Sequence, residues 1–243
     1  MRATRLLEYA ISKKPATVLD IAVGPGKHAQ CFIANGSHVT GVDVKDAPFE
    51  HENYVHIAQN YETLKVKEDA EKFDMIWCCH TLEHIPNAQH FLIHLASWLK
   101  DDGWLAISVP PSMDRLHVGH LSLWTPAHLA YNLICAGWDC RDARWYTEYC
   151  SIGFMVQKRP EIDLSWRTGM PSETLALNKF MPIVVNHEDN AWWPDNWHEP
   201  TGKLAIDPPH VTLGYQRTNL APQVQLAYGP NPALRKPPGE WLH

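Results

Sequence analysis

The chain has 243 residues, of which 45% are apolar and 20% are charged, and its formal net charge is −6. This composition excludes a disordered or fibrous chain, and the length is sufficient for a core that needs no disulfide bonds. The acidic balance without a cluster of Lys and Arg disfavours nucleic acid as a partner, and no apolar stretch reaches the length of a membrane span. We therefore expect a soluble globular protein.

Short apolar runs alternate with helix-periodic segments from residue 16 to about residue 158, a pattern typical of a parallel sheet covered by helices. Strands are predicted at 17–22, 38–42, 54–58, 73–79 and 104–109. Helices are predicted at 28–35, at 87–99 before the Asp-Asp-Gly turn at 101–103, and after the N-cap Thr125. Two further runs, 138–146 and 151–157, are separated by a short link, which indicates a hairpin. The prediction is an α/β domain with seven strands.

The amino-acid composition and the periodicity of the sequence change after Lys158. Residues 159–243 hold 12 of the 19 prolines and 5 of the 11 tryptophans, and helical periodicity nearly vanishes there. We predict a domain over 1–158 and an irregular, Pro/Trp-rich C-terminal extension over 159–243. Its tryptophans, including Trp192, Trp193 and Trp197, are expected to pack on the domain rather than to form a wall for a ligand.

The strongest local signal is the segment VLDIAVGPG at 18–26, which lies between a predicted buried strand and a helix. Glycines at such a turn let the backbone approach a ligand closely. Asp43, at the end of the next predicted strand, is placed to accept hydrogen bonds from both hydroxyls of a ribose. The sequence therefore predicts that one nucleotide-like ligand binds at the ends of both strands.

Two ligand classes are compatible with these glycines. The segment from Gly24 to Ala29 also matches the G-x-G-x-x-A pattern of dinucleotide-binding proteins, with Asp43 nineteen positions after Gly24. Asp20 separates the two classes, because a carboxylate at the strand end repels a pyrophosphate but binds an ammonium directly or through water. A nucleoside that carries an amino acid is favoured over a nicotinamide dinucleotide.

Five segments, in chain order, resemble successive motifs of class I S-adenosylmethionine-dependent methyltransferases of the small-molecule, type 11-like subgroup. They are VLDIAVGPG, VTGVDV, FDMIWCCHTLEHI, LKDDGWLAISVPP and HLSLWTPAHLAYNLICAGWD, and they span about residues 15–158. The resemblance implies a Rossmann-like, mostly parallel seven-stranded sheet with a reversed C-terminal hairpin. It also implies S-adenosylmethionine as cofactor and direct displacement of its methyl group by an O, N or C nucleophile of a small molecule.

The resemblance further implies which residues hold the cofactor. Around the methionine part it places Asp20, the backbone of Ala22, Gly24, Pro25 and Gly26, and the backbone of Cys79 and His80. Around the nucleoside it places Asp43 at the ribose and Val44, Asn60 and Tyr61 at the adenine. Ala22 departs from the glycine that is usual in the family, and its methyl group narrows the loop slightly.

Two histidines are the candidates for a general base. His117 and His120 follow the fifth predicted strand, in the loop that faces the transferred methyl group in this family, although His120 could equally brace Trp124 or the following helix. His84 is expected to be a buried hydrogen-bonding residue rather than a base. The pair His117 and His120 has a spacing that could bind a metal, but the sequence places no third ligand, so no metal site is expected.

The acceptor pocket is predicted over the ends of the fourth and fifth strands, bounded by 111–123 and roofed by 186–197. Two other functions stay open: a cofactor-binding assembly subunit without turnover, and, less favoured, a nicotinamide-dependent oxidoreductase. The six cysteines show no CxxC pairing and fall mostly in apolar runs, which predicts free thiols in a reducing cytoplasm. The sequence names neither the acceptor nor the oligomeric state.

Overall fold

The computed structural model describes residues 2–61, 72–113, 116–148, 150–160, 162–167 and 176–182. Four α-helices are described: α1 (Thr4–Ser12), α2 (Lys27–Ala34), α3 (Ala88–Trp98) and α4 (Pro126–Cys135). Seven strands form one sheet: β1 (Thr17–Ile21), β2 (His38–Asp43), β3 (Tyr54–Ala58), β4 (Phe73–Cys79), β5 (Leu99–Val109), β6 (Arg144–Glu148) and β7 (Ser151–Gln157). None of the helices among the described residues is long and apolar enough to cross a bilayer.

The strand order is β3-β2-β1-β4-β5-β7-β6. The first five strands pair in parallel, whereas β7 runs antiparallel to both β5 and β6. This arrangement confirms the predicted fold class of a mostly parallel sheet with a reversed C-terminal hairpin. The chain order reverses direction across the sheet between β1 and β4, and ligands of open α/β sheets bind beyond the carboxyl ends of the strands at such a point.

Alternate residues of the central strands face opposite sides of the sheet, as the pleat requires. Leu19 and Ile76 belong to the apolar cluster that contains α3 and α4, whereas Val18 and Trp77 belong to the cluster that contains α1 and α2. Both faces are therefore covered. This explains why the strands read as continuous apolar runs instead of alternating ones.

Two predicted strands begin at the wrong residue, and long-range contacts explain both. Strand β5 begins at Leu99 instead of residue 104: Leu99 pairs with Phe73 and Trp104 pairs with Met75, so a bulge absorbs the Asp-Asp-Gly segment. Strand β6 begins at Arg144 instead of residue 138. Buried Trp138 donates to the carbonyl of Leu92 in α3 and so covers the helix instead of pairing in the sheet.

Part of the predicted C-terminal extension is described, and it contacts the domain. Ile162, Trp166, Leu177 and Phe180 are partly buried against the cluster that contains α3 and α4, and Met181 is buried in it. Trp192, Trp193, Trp197 and the predicted roof over 186–197 lie outside the described residues. The boundary near 158 remains a prediction.

Candidate active site

The glycine loop, residues 22–26, connects β1 to α2 at the carboxyl end of the sheet. Three of its residues have positive φ: Ala22 at 58°, Gly24 at 51° and Gly26 at 74°. Any side chain on Gly26 would meet the ring of Phe49, so this position needs glycine for space as well as for its backbone angle. Ala22 is strained, because an L residue with a Cβ atom rarely adopts this conformation.

Asp20 lies within β1, two residues before this loop. Its side chain is buried, and Oδ2 has no hydrogen-bond partner among the described residues. Burial raises the pKa of Asp20 well above its ordinary value, and the nearby charge of Asp43 raises it further. A buried, unpartnered carboxyl oxygen beside an open loop fits a ligand that brings its own cationic donor.

Asp43 ends β2 and is half-buried. Its Oδ2 accepts a hydrogen bond of 2.9 Å from the backbone amide of Gly24, and its Oδ1 accepts one of 3.1 Å from the amide of Lys45. The carboxylate is thus oriented by backbone on both sides. Each oxygen can accept a second hydrogen bond, so two neighbouring hydroxyl groups still have acceptors here.

The three other residues predicted near the adenine lie beyond β2 and β3. Val44 is 66% exposed, which leaves an apolar surface next to Asp43. Asn60 is exposed, and Tyr61 packs edge-on against Phe91 of α3, with ring centroids 5.9 Å apart. Tyr61 therefore belongs partly to the core. Its ring packs on α3, a contact that the sequence analysis did not predict.

The carboxyl end of β4 carries Cys79 and His80. The thiol of Cys79 accepts a hydrogen bond from Ser108, and burial raises its pKa to about 12, so it is a neutral group in the site. His80 adopts a positive φ of 54°. Its Nε2 lies 2.7 Å from Oγ of Ser151, and its Nδ1 lies 3.1 Å from a guanidinium nitrogen of Arg2.

These two contacts define the tautomer of the His80 ring. The guanidinium can only donate, so Nδ1 of His80 accepts and its Nε2 carries the proton toward Ser151. Burial lowers the pKa of His80 to about 4, and the Arg2 charge lowers it further. Sequence reasoning missed Arg2, because nothing in the local pattern indicates that the N-terminus reaches this strand end.

A pocket of about 380 Å³ opens beyond the ends of β4 and β5. Its lining combines apolar with polar residues. The apolar ones are Pro110, Pro111, Met113 and Leu123, and the others are Arg2, His80, His117, His120, Ser122 and Cys150. The rings of the two predicted bases, His117 and His120, stack with centroids 5.0 Å apart. The structure thus brings both histidines to one cavity beside His80, within the predicted boundary of 111–123.

The family model described as "Methyltransferase domain" matches residues 2–145 of the chain. The chain belongs to this methyltransferase family. The matched segment includes the glycine loop, both aspartates and the pocket loop, and it ends within β6.

Curated relatives of this methyltransferase domain include two ubiquinone biosynthesis O-methyltransferases. The one from Coxiella burnetii is 28% identical over 140 residues, which cover 55% of this chain and 58% of the relative. The one from Glaesserella parasuis is 35% identical over 103 residues, or 37% and 44% of the two chains. The chain thus spans about half the length of the curated relatives it matches.

Solved structures show the same fold. The 1,6-didemethyltoxoflavin-N1-methyltransferase of Burkholderia thailandensis, with 1,6-didemethyltoxoflavin and S-adenosylhomocysteine bound, superposes with a TM-score of 0.52 at 23% identity, covering 64% of this chain and 79% of that chain. Human N-acetylserotonin methyltransferase gives a TM-score of 0.51 at 16% identity, covering 63% and 50%.

Glu83 is a second residue near the pocket that sequence reasoning missed. It lies in a short 3-10 helix, Leu82–His84, directly after β4. Its side chain is 1% exposed, and burial raises its pKa to about 7. The prediction that His84 is buried is wrong, since its side chain is 43% exposed. It does form a hydrogen bond, from its Nδ1 to the carbonyl of Gly119, a partner that the sequence did not indicate.

Proposed function

We propose that the chain transfers the methyl group of S-adenosylmethionine to an oxygen of a small, mainly apolar acceptor. One observation carries the cofactor assignment: the buried Oδ2 of Asp20 has no partner among the described residues and lies beside a loop of positive-φ residues. A pyrophosphate would bring further negative charge to this carboxyl group. The ammonium of the methionine part supplies the missing donor and charge.

The proposed cofactor-binding residues divide between the two ends of the ligand. Asp20, the backbone of Ala22, Gly24, Pro25 and Gly26, and the backbone of Cys79 and His80 hold the methionine part. Asp43 receives the ribose hydroxyls, and Val44, Asn60 and Tyr61 surround the adenine. The bound sulfonium supplies an electrophilic methyl group.

The pocket beyond β4 and β5 is the proposed acceptor site. It adjoins the end of β4, where His80 lines the cavity, and Pro110, Pro111, Met113 and Leu123 supply an apolar surface that excludes water. The likeness to O-methyltransferases supports an oxygen nucleophile. His117 or His120 would accept the proton of a hydroxyl acceptor, because both line the cavity.

Two further parts of the proposal concern context. We place the reaction in the cytoplasm because all six cysteines are free thiols, which suits a reducing compartment. We also propose that the domain ends near residue 158 and that the extension packs on it. The contacts of Trp166 and Met181 with the cluster that contains α3 and α4 support this.

The test has a binding arm and a turnover arm. Calorimetry with S-adenosylhomocysteine, S-adenosylmethionine and a nicotinamide dinucleotide should show binding of the first two alone. Incubation with methyl-labelled S-adenosylmethionine and a panel of phenols should then yield a labelled product and S-adenosylhomocysteine. Dinucleotide binding in place of the other two would refute the cofactor assignment. Cofactor binding without turnover on any acceptor would favour the assembly subunit.

A further inference from the structure

Glu83 and His84, two neighbouring residues near the pocket, have no role in the proposed methyl transfer. Glu83 lies in the 3-10 helix after β4, and its two carboxylate oxygens are buried without a hydrogen-bond partner among the described residues. Nδ1 of His80 and Nε2 of His84 lie 3.6 and 3.8 Å from its Oε1, too far to donate a hydrogen bond. A carboxylate left in this state is costly unless a proton or a cation joins it.

His84 is oriented as a ligand would be. Its Nδ1 lies 2.8 Å from the carbonyl oxygen of Gly119, which can only accept, so the ring proton is on Nδ1 and the lone pair of Nε2 is directed elsewhere. Histidines that bind metals commonly donate their other ring N–H to a backbone carbonyl, which holds the tautomer and the ring orientation. Nε2 itself lies 3.8 Å from Oε1 of Glu83.

His120 completes the set from a different part of the chain. One ligand atom each of Glu83, His84 and His120 lies within 4.8 Å of the others. The loop is fastened on both sides of His120, since Gly119 accepts from His84 and the amide of Leu121 donates to the carbonyl of Glu83 at 2.7 Å. His120 is therefore held near the pair although 36 positions separate it from His84.

We propose that Glu83, His84 and His120 bind a divalent transition-metal ion at the wall of the acceptor pocket. Two imidazoles and one carboxylate are a donor set that zinc and other first-row ions accept, with coordination positions left for an outside oxygen. This reverses the expectation from the sequence, because Glu83 supplies the third ligand that the sequence did not place. His80 takes no part, since its Nδ1 lone pair already accepts from Arg2.

The use of the ion rests on the proposed function, whereas its binding does not. His120 lines the pocket, so an ion beside it is within reach of an acceptor oxygen and would favour the deprotonated hydroxyl. With His120 engaged as a ligand, the proton-accepting role passes to His117. A chain that binds the ion but transfers no methyl group would refute the proposed function and leave the metal site intact.

Cobalt(II) is the probe for the site, because its visible ligand-field absorption reports the donor atoms directly. The full chain, freed of metal with a chelator, is titrated with Co²⁺, and Zn²⁺ is then added to displace it. We expect one ion per chain with nitrogen and oxygen donors and displacement by zinc. Glu83→Gln and His120→Ala should each weaken Co²⁺ binding by at least about tenfold. His120→Ala is the safer variant for folding, because His120 lies half-buried in a loop.

Two matched variants test the location. His128→Ala removes an exposed histidine of α4 and should leave Co²⁺ affinity unchanged. His94→Ala tests the competing pair of His90 and His94 on α3, whose ring centroids are 4.1 Å apart. The proposal is overturned if the wild type binds no Co²⁺, if neither Glu83→Gln nor His120→Ala weakens binding, if His94→Ala abolishes it, or if a thiolate charge-transfer band places the ion on a cysteine.

Discussion

The backbone amide of Gly24 donates a hydrogen bond of 2.9 Å to Oδ2 of Asp43. This bond joins the glycine loop to the end of the neighbouring parallel strand, nineteen residues later in the chain. Asp43 is therefore held in place before a ligand arrives, which lowers the entropic cost of orienting its carboxylate on binding. The contact makes Asp43 both a proposed ligand-binding residue and a support of the loop.

Replacing Asp43 with alanine should weaken binding of S-adenosylhomocysteine. The variant loses the proposed acceptor for two ribose hydroxyls, and hydrogen bonds to a charged group contribute about 1.5–3 kcal/mol, or roughly a ten- to hundredfold change in affinity. Calorimetry measures the change. Asp46→Ala, which removes an exposed acid three residues further on, is the control and should bind normally. Equal affinity of Asp43→Ala and the wild type would contradict the ribose assignment.

Cofactor binding should release a proton from Asp20. Burial and the charge of Asp43 raise the pKa of Asp20 in the free protein, so the group is protonated at pH values above the ordinary carboxyl value of about 3.9. A ligand ammonium favours the ionised form and lowers this pKa. Affinity should therefore rise with pH from the lowered pKa of Asp20 in the complex to its raised pKa in the free protein, and level off above the latter.

Calorimetry in two buffers that differ in ionisation enthalpy measures this proton directly. The observed binding heat should differ between the buffers in the wild type. Asp20→Asn cannot release the proton, so the difference should shrink in that variant. The linkage is refuted if wild type and Asp20→Asn show the same dependence on the buffer.

Replacing Ala22 with glycine should stabilise the protein. Ala22 has a φ of 58°, a conformation that costs an L residue roughly 1–2 kcal/mol, while glycine loses about 0.5–1 kcal/mol of chain entropy. The expected net gain is about 0.5–1 kcal/mol in the free energy of unfolding by urea. Ala34→Gly, at an exposed position of α2 with helical backbone, should lose stability instead. A loss in both variants would show that Ala22 is not strained.

Asp74 should contribute stability that disappears in acid. Its Oδ2 accepts from the amide and hydroxyl of Thr17, and its Oδ1 accepts from Nζ of Lys100 at 3.0 Å. Burial alone would raise the pKa of Asp74, but the hydrogen bonds from Lys100 and Thr17 outweigh it and lower the pKa. The contribution is thus complete above the unfolded value of about 3.9 and is lost as the pH falls through the lowered pKa.

Asp74→Asn tests this contribution. The variant should lose about 1 kcal/mol in urea unfolding at pH 7, since Lys100 is partly exposed and its attraction is screened. The difference from the wild type should narrow toward pH 3. Asp101→Asn, which alters an acid that is 96% exposed, should change stability little at either pH. A difference for Asp74→Asn that does not depend on pH would contradict the role of the charge.

The local pattern of apolar residues was sufficient to predict most of the strands and helices. The bounds of β3, β4 and β7 agree with those predicted, and Thr125 caps α4 with its hydroxyl as expected. Buried strands need uninterrupted apolar runs, and helix caps need particular side chains. Both features can therefore be recognised from consecutive residues of the sequence. The starting residues of β5 and β6 could not be recognised in this way, because contacts with distant residues, Phe73 and Leu92, decide them.

The sequence by itself determined that Asp20 and Asp43 lie at one edge of the sheet, because β1 and β2 are adjacent parallel strands and both residues lie toward the carboxyl ends of these strands. Only the tertiary structure decided that Glu83 is buried with no hydrogen-bond partner for its carboxyl group among the described residues, and that His120 lies beside it and His84. A charged residue in a short 3-10 helix gives no sign of burial. The distance from residue 84 to residue 120 depends on the backbone bonds of Gly119 and Leu121, which form between elements far apart in the chain.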